Sequence, residues 1–188
     1  MLACKYCNTR KSNKTTSENK NDYLWPDENN TELAYTYAGG IPRVNSPILL
    51  ELDPSGNIAQ KAEKLFELVE LGNIPAPKDK DRRFKQRIET YASARISLKK
   101  WKKLKETEYK EDSKELIAEI VRSKGFFSVW LEVFKDEPEI KNMLFDIFPG
   151  TETRFFDADG NVRPILHVEE LEACLLYTSP SPRDPKTS

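Results

Sequence analysis

Two cysteines separated by two residues, Cys4 and Cys7, are the feature that most constrains this 188-residue chain. Their spacing places both sulfur atoms on one side of a tight turn, where two thiolates can bind one tetrahedral zinc ion. Zinc needs four ligands, but the sequence has one further cysteine, Cys174, and one histidine, His167, both far along the chain. We therefore interpret the pair as half of a zinc site. A redox pair, a free surface pair and a chance spacing are the alternatives.

The residues around the pair resemble a known motif. The string Cys-x-x-Cys-Asn-x-x-Lys runs from Cys4 to Lys11 and follows an apolar Met1-Leu2-Ala3. It is similar to the second half of the motif of HNH-type (ββα-metal) endonucleases. The resemblance implies that Cys4 and Cys7 are structural zinc ligands and that Asn8 is a catalytic-site residue beside a divalent ion such as magnesium.

The resemblance also implies what a complete site contains. In that family an upstream Cys-x-x-Cys completes the zinc site, and a histidine-bearing β-hairpin between the two pairs supplies the general base. No residues precede Met1 to form this hairpin, so we expect Met1 to be an internal methionine of a longer protein. The implied function is that of a C-terminal fragment of a metal-dependent endonuclease that hydrolyses DNA phosphodiester bonds, inactive as written because it lacks its general base.

A looser likeness of the following segments to bacterial HNH proteins of phage-defence operons implies a defence role and a defence-system partner protein. The competing hypothesis is a non-enzymatic helical module that binds nucleic acid or protein and has a partial zinc site. A thiol-disulfide protein is a third hypothesis, although no buried strand precedes Cys4 as that class expects.

Basic residues are unevenly distributed in a chain whose net charge is -1. They dominate residues 1–20 and again residues 78–105. A row of Lys and Arg along a helix adds affinity for a phosphate backbone without sequence choice, although such a row also serves as a solubilising face. With DNA as the expected partner, the predicted nucleic-acid-binding residues are Arg10, Lys11, Lys14, Arg82, Arg83 and Arg87.

The remaining pattern predicts a mainly α fold, in which a truncated zinc-knuckle or ββα-metal remnant is followed by a helical domain with two short β-hairpins. Helical periodicity and end signals predict helices over residues 8–14, 58–71, 79–105, 112–123 and 138–147. Glycine-containing turns predict hairpins around residues 38–40 and 157–161. The predicted division is a remnant with a hairpin over 1–45, a helical domain over 46–173 and a tail over 174–188.

Side-chain types predict which helix faces are buried. Asn57 is expected to cap the helix over 58–71, and Asp112 with Glu115 is expected to form a capping box for the helix over 112–123. The aromatic residues from Phe126 to Phe134 can stack on bases, but their helical spacing among aliphatic neighbours favours a core. Residues expected to point inward are Phe84, Ile88, Tyr91, Leu98, Trp101 and Leu104 in the longest helix, and Leu116, Ile117, Ile120 and Val121 in the next.

The C-terminal residues and the absence of a long apolar run lead to two further expectations. Residues 174–184 correspond to a translated transposase adaptor of short-read sequencing libraries, so we expect the tail to be non-native; a natural Ser/Pro-rich tail is the alternative. No apolar run approaches the roughly 20 residues needed to cross a bilayer. We therefore expect a cytoplasmic protein. In that reducing compartment, two adjacent cysteines indicate metal binding more than a disulfide bond.

Overall fold

The structure of the chain is a computed structural model that describes residues 5–11, 14–26, 28–76, 78 and 80–170. These residues are mainly helical, as predicted, with one two-stranded antiparallel sheet. None of their helices combines the length and the apolar character that crossing a bilayer requires. In chain order the elements are α1 (Lys5–Lys11), α2 (Thr31–Ala34), β1 (Tyr35–Thr36), β2 (Arg43–Val44), α3 (Ser46–Leu52), α4 (Asn57–Leu68), α5 (Arg83–Leu104), α6 (Lys110–Lys124), α7 (Phe127–Val133) and α8 (Pro138–Ile147).

The first predicted hairpin forms, but it is shorter than expected. Tyr35 pairs with Val44 and Thr36 pairs with Arg43. The preceding residues, predicted to be strand, form the helical turn α2 instead. The second predicted hairpin is reduced to a single bridge between Phe156 and Val162, next to a short 3₁₀ helix at Thr153–Phe155.

Helices α3 and α4 pack with this hairpin in one hydrophobic core. Leu49, Ala62 and Leu65 are buried there with Ala34 and Tyr35. The predicted Asn57 cap is wrong, because Asn57 makes no capping hydrogen bond and the helix is preceded by Gly56 in a left-handed conformation. The Asp53 carboxylate satisfies the start of α4 instead, since its Oδ2 accepts from the Ile58 amide at 3.0 Å.

A second hydrophobic core joins α5, α6, α7 and α8. Its buried members include Trp101, Trp130, Phe134 and Leu144, so the aromatic stretch belongs to the core, as predicted. The Trp101 indole donates from Nε1 to Glu137 Oε2 at 2.9 Å, which satisfies its polar atom inside the core.

The start and the buried face of α6 differ from the prediction. The helix begins at Lys110, so Asp112 lies inside its first turn and is not a cap residue. Leu116 is 49% exposed, whereas Ile117 and Val121 are buried as expected. The helix ends at Gly125, which has a φ of 69°. The end signal of the sequence is therefore confirmed, and the start signal is wrong.

The buried face of α5 is rotated from the one that the apolar residues predict. Its buried residues recur every three or four positions and are Arg83, Arg87, Thr90, Ala94, Ser97 and Trp101. Ile88, expected inside, is 38% exposed. A turn before β2 contacts the same face, because a Cβ atom at Gly40 would lie 2.8 Å from the Arg87 carbonyl oxygen. The surface position predicted for Arg83 and Arg87 is therefore wrong.

The last described segment connects the two cores. The Asn30 side chain donates to the carbonyl oxygens of Arg163 and Ile165 at 3.3 and 3.1 Å, and the Asn30 amide donates to Leu166 at 2.8 Å. Leu166 packs in the core of α3 and α4, whereas Ile165 packs against the core of α5 to α8. This segment is held against residues 28–30, the stretch just before α2.

Candidate functional site

A cavity of about 800 Å³ lies where α1, α2, β1, the end of α4, the start of α5 and the start of α7 meet. Aromatic and aliphatic side chains form much of its wall, among them Trp25, Tyr35, Leu65 and Phe127. Charged and polar groups also reach it from α1, α2, α5 and α7. This cavity gathers the cysteine helix and two buried arginines at one place, and we therefore take it as the candidate functional site.

The cysteine helix contributes Cys7 to the cavity wall. Helix α1 starts at Lys5, so Cys7 lies within a helix and not in the turn that was predicted to precede a helix at Asn8. The Cys7 side chain is half-buried, and its Sγ accepts a hydrogen bond from Arg83 Nη1 at 3.1 Å. A positively charged donor beside a sulfur atom favours the thiolate, which is the form that binds metal.

The predicted zinc and catalytic residues lie only partly within the described chain. Cys4 is outside it, and of Asn8 the structure describes the helical backbone alone. Among the described residues, no group of three or more His, Cys, Asp or Glu side chains is placed to hold a metal ion. His167 forms an isolated backbone bridge with Asn29. The zinc pair and the role of Asn8 therefore stay predictions.

Arg83 is held rigidly at the cavity wall by Asp81. Arg83 Nε lies 3.1 Å from both carboxylate oxygens of Asp81, and Nη2 lies 2.7 Å from Oδ2, with both side chains about 5% exposed. Nη2 also donates to the Val69 carbonyl oxygen at 3.0 Å. The hydrogen bond from Arg83 holds the pKa of Asp81 below its ordinary value. Burial lowers the pKa of Arg83, but the hydrogen bonds and charges of Asp81 and Cys7 together outweigh that effect and raise the pKa overall.

Arg87, one helical turn further along α5, has no comparable partner. It is 3% exposed, and its Nη2 donates to the Leu71 carbonyl oxygen at 2.6 Å. Its buried Nε atom has no hydrogen-bond partner, and no carboxylate of the described chain forms an ion pair with it. Burial accordingly lowers the pKa of Arg87.

A carboxyl group with a raised pKa occupies another part of the wall. Ser128 Oγ donates to Glu32 Oε1 at 2.7 Å. Burial raises the pKa of Glu32 to about 7, and the hydrogen bond from Ser128 only partly opposes this effect. Burial also raises the pKa of the neighbouring Tyr37, which stays a neutral phenol at physiological pH. Glu32 is therefore close to half protonated at neutral pH.

The residues predicted to bind nucleic acid fall into different environments. Arg10 pairs with Glu70 at 3.2 Å, and the Lys11 ammonium lies 4.7 Å from the Trp25 ring centroid. Lys14 and Arg82 are exposed as expected, whereas Arg83 and Arg87 are buried in the cavity wall. Two of the six predicted residues thus have the solvent-exposed position that a phosphate contact requires.

Sequence reasoning missed the pairing of Glu32 with Ser128, because these residues are 96 positions apart and no local spacing relates them. The burial of Arg83 did have a signal, since Asp81 lies two positions before it and opposite charges at this distance can pair at a helix start. Arg87 offered no such signal.

Comparison of the chain with protein-family models, with curated proteins and with solved structures gave no match. The resemblance to HNH endonucleases therefore rests on the string from Cys4 to Lys11.

Proposed function

We propose that this chain is the C-terminal part of a metal-dependent endonuclease of the HNH type that binds DNA. The observation that carries the proposal is the position of Cys7. Its half-buried sulfur lies in the wall of an open cavity beside the Arg83 guanidinium, so a further zinc-binding segment can approach it. A thiol sealed inside a hydrophobic core would oppose the proposal.

The residues fit the metals of the proposed family only in part. Cys4 and Cys7 would supply two of the four ligands of a structural zinc ion, and Asn8 would lie beside the catalytic ion. Hydrolysis in this proposal also needs a histidine-bearing hairpin as general base, so we expect the 188-residue chain to bind DNA duplex without nicking it.

The DNA-binding surface in this proposal is the exposed side of α5. Arg95, Lys99 and Lys102 are exposed and recur at intervals of four and three residues, so they share one face of the helix. A stripe of this kind can contact successive phosphates and release their counterions. It replaces the buried Arg83 and Arg87 as the predicted contact surface.

The experiment is a salt titration of DNA binding, followed by fluorescence anisotropy of a labelled duplex. Each lost phosphate contact lowers the slope of log affinity against log salt by about 0.9, so we expect K99Q/K102Q to lower the slope by about 1 to 2. The matched control is K110Q/K114Q, which removes the same charge from lysines that pair with Glu139 at 2.9 and 3.3 Å. Equal slopes for both double variants would refute this surface.

A non-enzymatic interaction module is the second candidate function. The same exposure of Cys7 supports it, because a cysteine pair of a second chain could complete the zinc site. Zinc stoichiometry separates the two candidates, since the interaction module predicts one zinc ion for two chains.

A further inference from the structure

We propose that the cavity binds a small organic anion with an aromatic body, and that the guanidinium of Arg87 receives its anionic group. This inference goes beyond the proposed nuclease function. It uses the charge and shape of the cavity wall that also contains Cys7, and it uses neither the zinc pair nor the exposed face of α5.

Arg83 and Arg87 differ in how their buried charges are compensated. Both side chains line the cavity and are at least nine-tenths buried. The Arg83 charge is neutralised by the buried Asp81 carboxylate. Within the described residues, Arg87 donates to one backbone carbonyl oxygen, and its buried Nε atom has no hydrogen-bond partner. A buried cation without a counter-ion is strongly unfavourable. An anion in the cavity would supply the missing charge.

The remaining charges of the wall favour an anion over a cation. Lys11 adds a positive charge where it contacts Trp25. Glu32 is the one carboxyl group among the described residues that line the cavity, and burial raises its pKa to about 7. This carboxyl group is therefore substantially uncharged at and below neutral pH and repels an anion weakly.

The size and the apolar part of the wall define the rest of the ligand. A volume of about 800 Å³ is within the roughly 300–1,000 Å³ of cavities that bind small molecules. Trp25, Tyr37 and Phe127 present three aromatic rings to this space, and such rings favour flat apolar groups. A simple inorganic anion would leave most of the wall without contacts.

The test compares two fluorescent probes that share an aromatic body and differ in charge. The anion is 1-anilinonaphthalene-8-sulfonate, and its neutral counterpart is N-phenyl-1-naphthylamine. Both are titrated into the full chain and into the variants R87Q and R87K, with R122Q as the control, because Arg122 is an exposed arginine of α6 outside the cavity wall. Urea unfolding curves establish that each variant is folded.

The expected result is one bound sulfonate per chain, with an affinity lowered about ten- to a hundredfold in R87Q. R87K should retain part of this affinity and R122Q all of it. The affinity of the neutral probe should be the same for every variant. Equal affinities of the two probes for the unsubstituted chain would overturn the proposal, as would an unchanged sulfonate affinity in folded R87Q. If R87Q does not fold, the comparison of the two probes on the unsubstituted chain and on R87K decides.

Discussion

Replacing Glu32 by Gln should make the protein more stable at alkaline pH and leave it nearly unchanged at acidic pH. Burial raises the pKa of Glu32 from 4.5 to about 7 in the folded chain. The unfolded chain therefore releases this proton first as the pH rises, and the free energy of unfolding falls between about pH 4.5 and pH 7. Each pKa unit corresponds to about 1.4 kcal/mol. Ionisation of Glu32 therefore lowers the free energy of unfolding by up to about 3 kcal/mol at pH 8.

Gln is the informative substitution because it keeps the size of the side chain and the oxygen that accepts from Ser128. Urea unfolding at pH 5 and pH 8 measures the effect for the unsubstituted chain, for Glu32→Gln and for the control Glu67→Gln, which alters an exposed carboxyl group on α4. We expect Glu32→Gln alone to reduce the loss of stability between the two pH values. A pH dependence shared by all three proteins would refute the buried environment assigned to Glu32.

Two further predictions concern the backbone and the ion pair that hold the cavity wall. Gly40→Ala should lower the free energy of unfolding by about 2–5 kcal/mol, because the new Cβ would meet the Arg87 carbonyl oxygen at 2.8 Å in a residue whose φ is 79°. The control Gly39→Ala, whose Cβ meets no atom within 4 Å, should lower it by about 1 kcal/mol. Equal losses of the two variants in urea unfolding would contradict the contact. Arg83→Lys should lower the free energy of unfolding by about 2–4 kcal/mol, since lysine cannot form the bidentate bonds to buried Asp81. A loss below about 1 kcal/mol in the same assay would show that the bidentate ion pair does not stabilise the fold.

The part of the fold that could be predicted from the sequence is the part set by local signals. Pro138 marks the start of α8 and Gly125 marks the end of α6, as their positions predicted. The core positions of Trp101, Trp130 and Phe134 follow from helical spacing among aliphatic residues. These features depend on residues a few positions apart, so the sequence displays them directly.

Apart from the local pair of Asp81 and Arg83, the cavity depends on contacts between distant residues, which the sequence pattern does not indicate. Glu32 and Ser128 meet because α2 and α7 are brought together by the fold. A helical row of Lys and Arg predicts a solvated position for Arg83 and Arg87. In the fold, Asp81 and the carbonyl oxygens of Val69 and Leu71 accept their hydrogen bonds instead. Helix α3 was missed because its seven residues, which begin with Ser46 and Pro47, are too few for a periodic pattern.

Zinc stoichiometry is the measurement that tests the proposed function most directly. Native mass spectrometry of the zinc-loaded chain reports the oligomeric state and the number of bound ions together. If Cys4 and Cys7 are half of a nuclease zinc site, we predict a monomer that binds one zinc ion weakly, because the chain supplies two of the four ligands and water fills the other positions. Cys7→Ser should remove this ion and Cys174→Ser should retain it. A dimer that shares one zinc ion, or zinc binding that survives Cys7→Ser, would contradict the proposal.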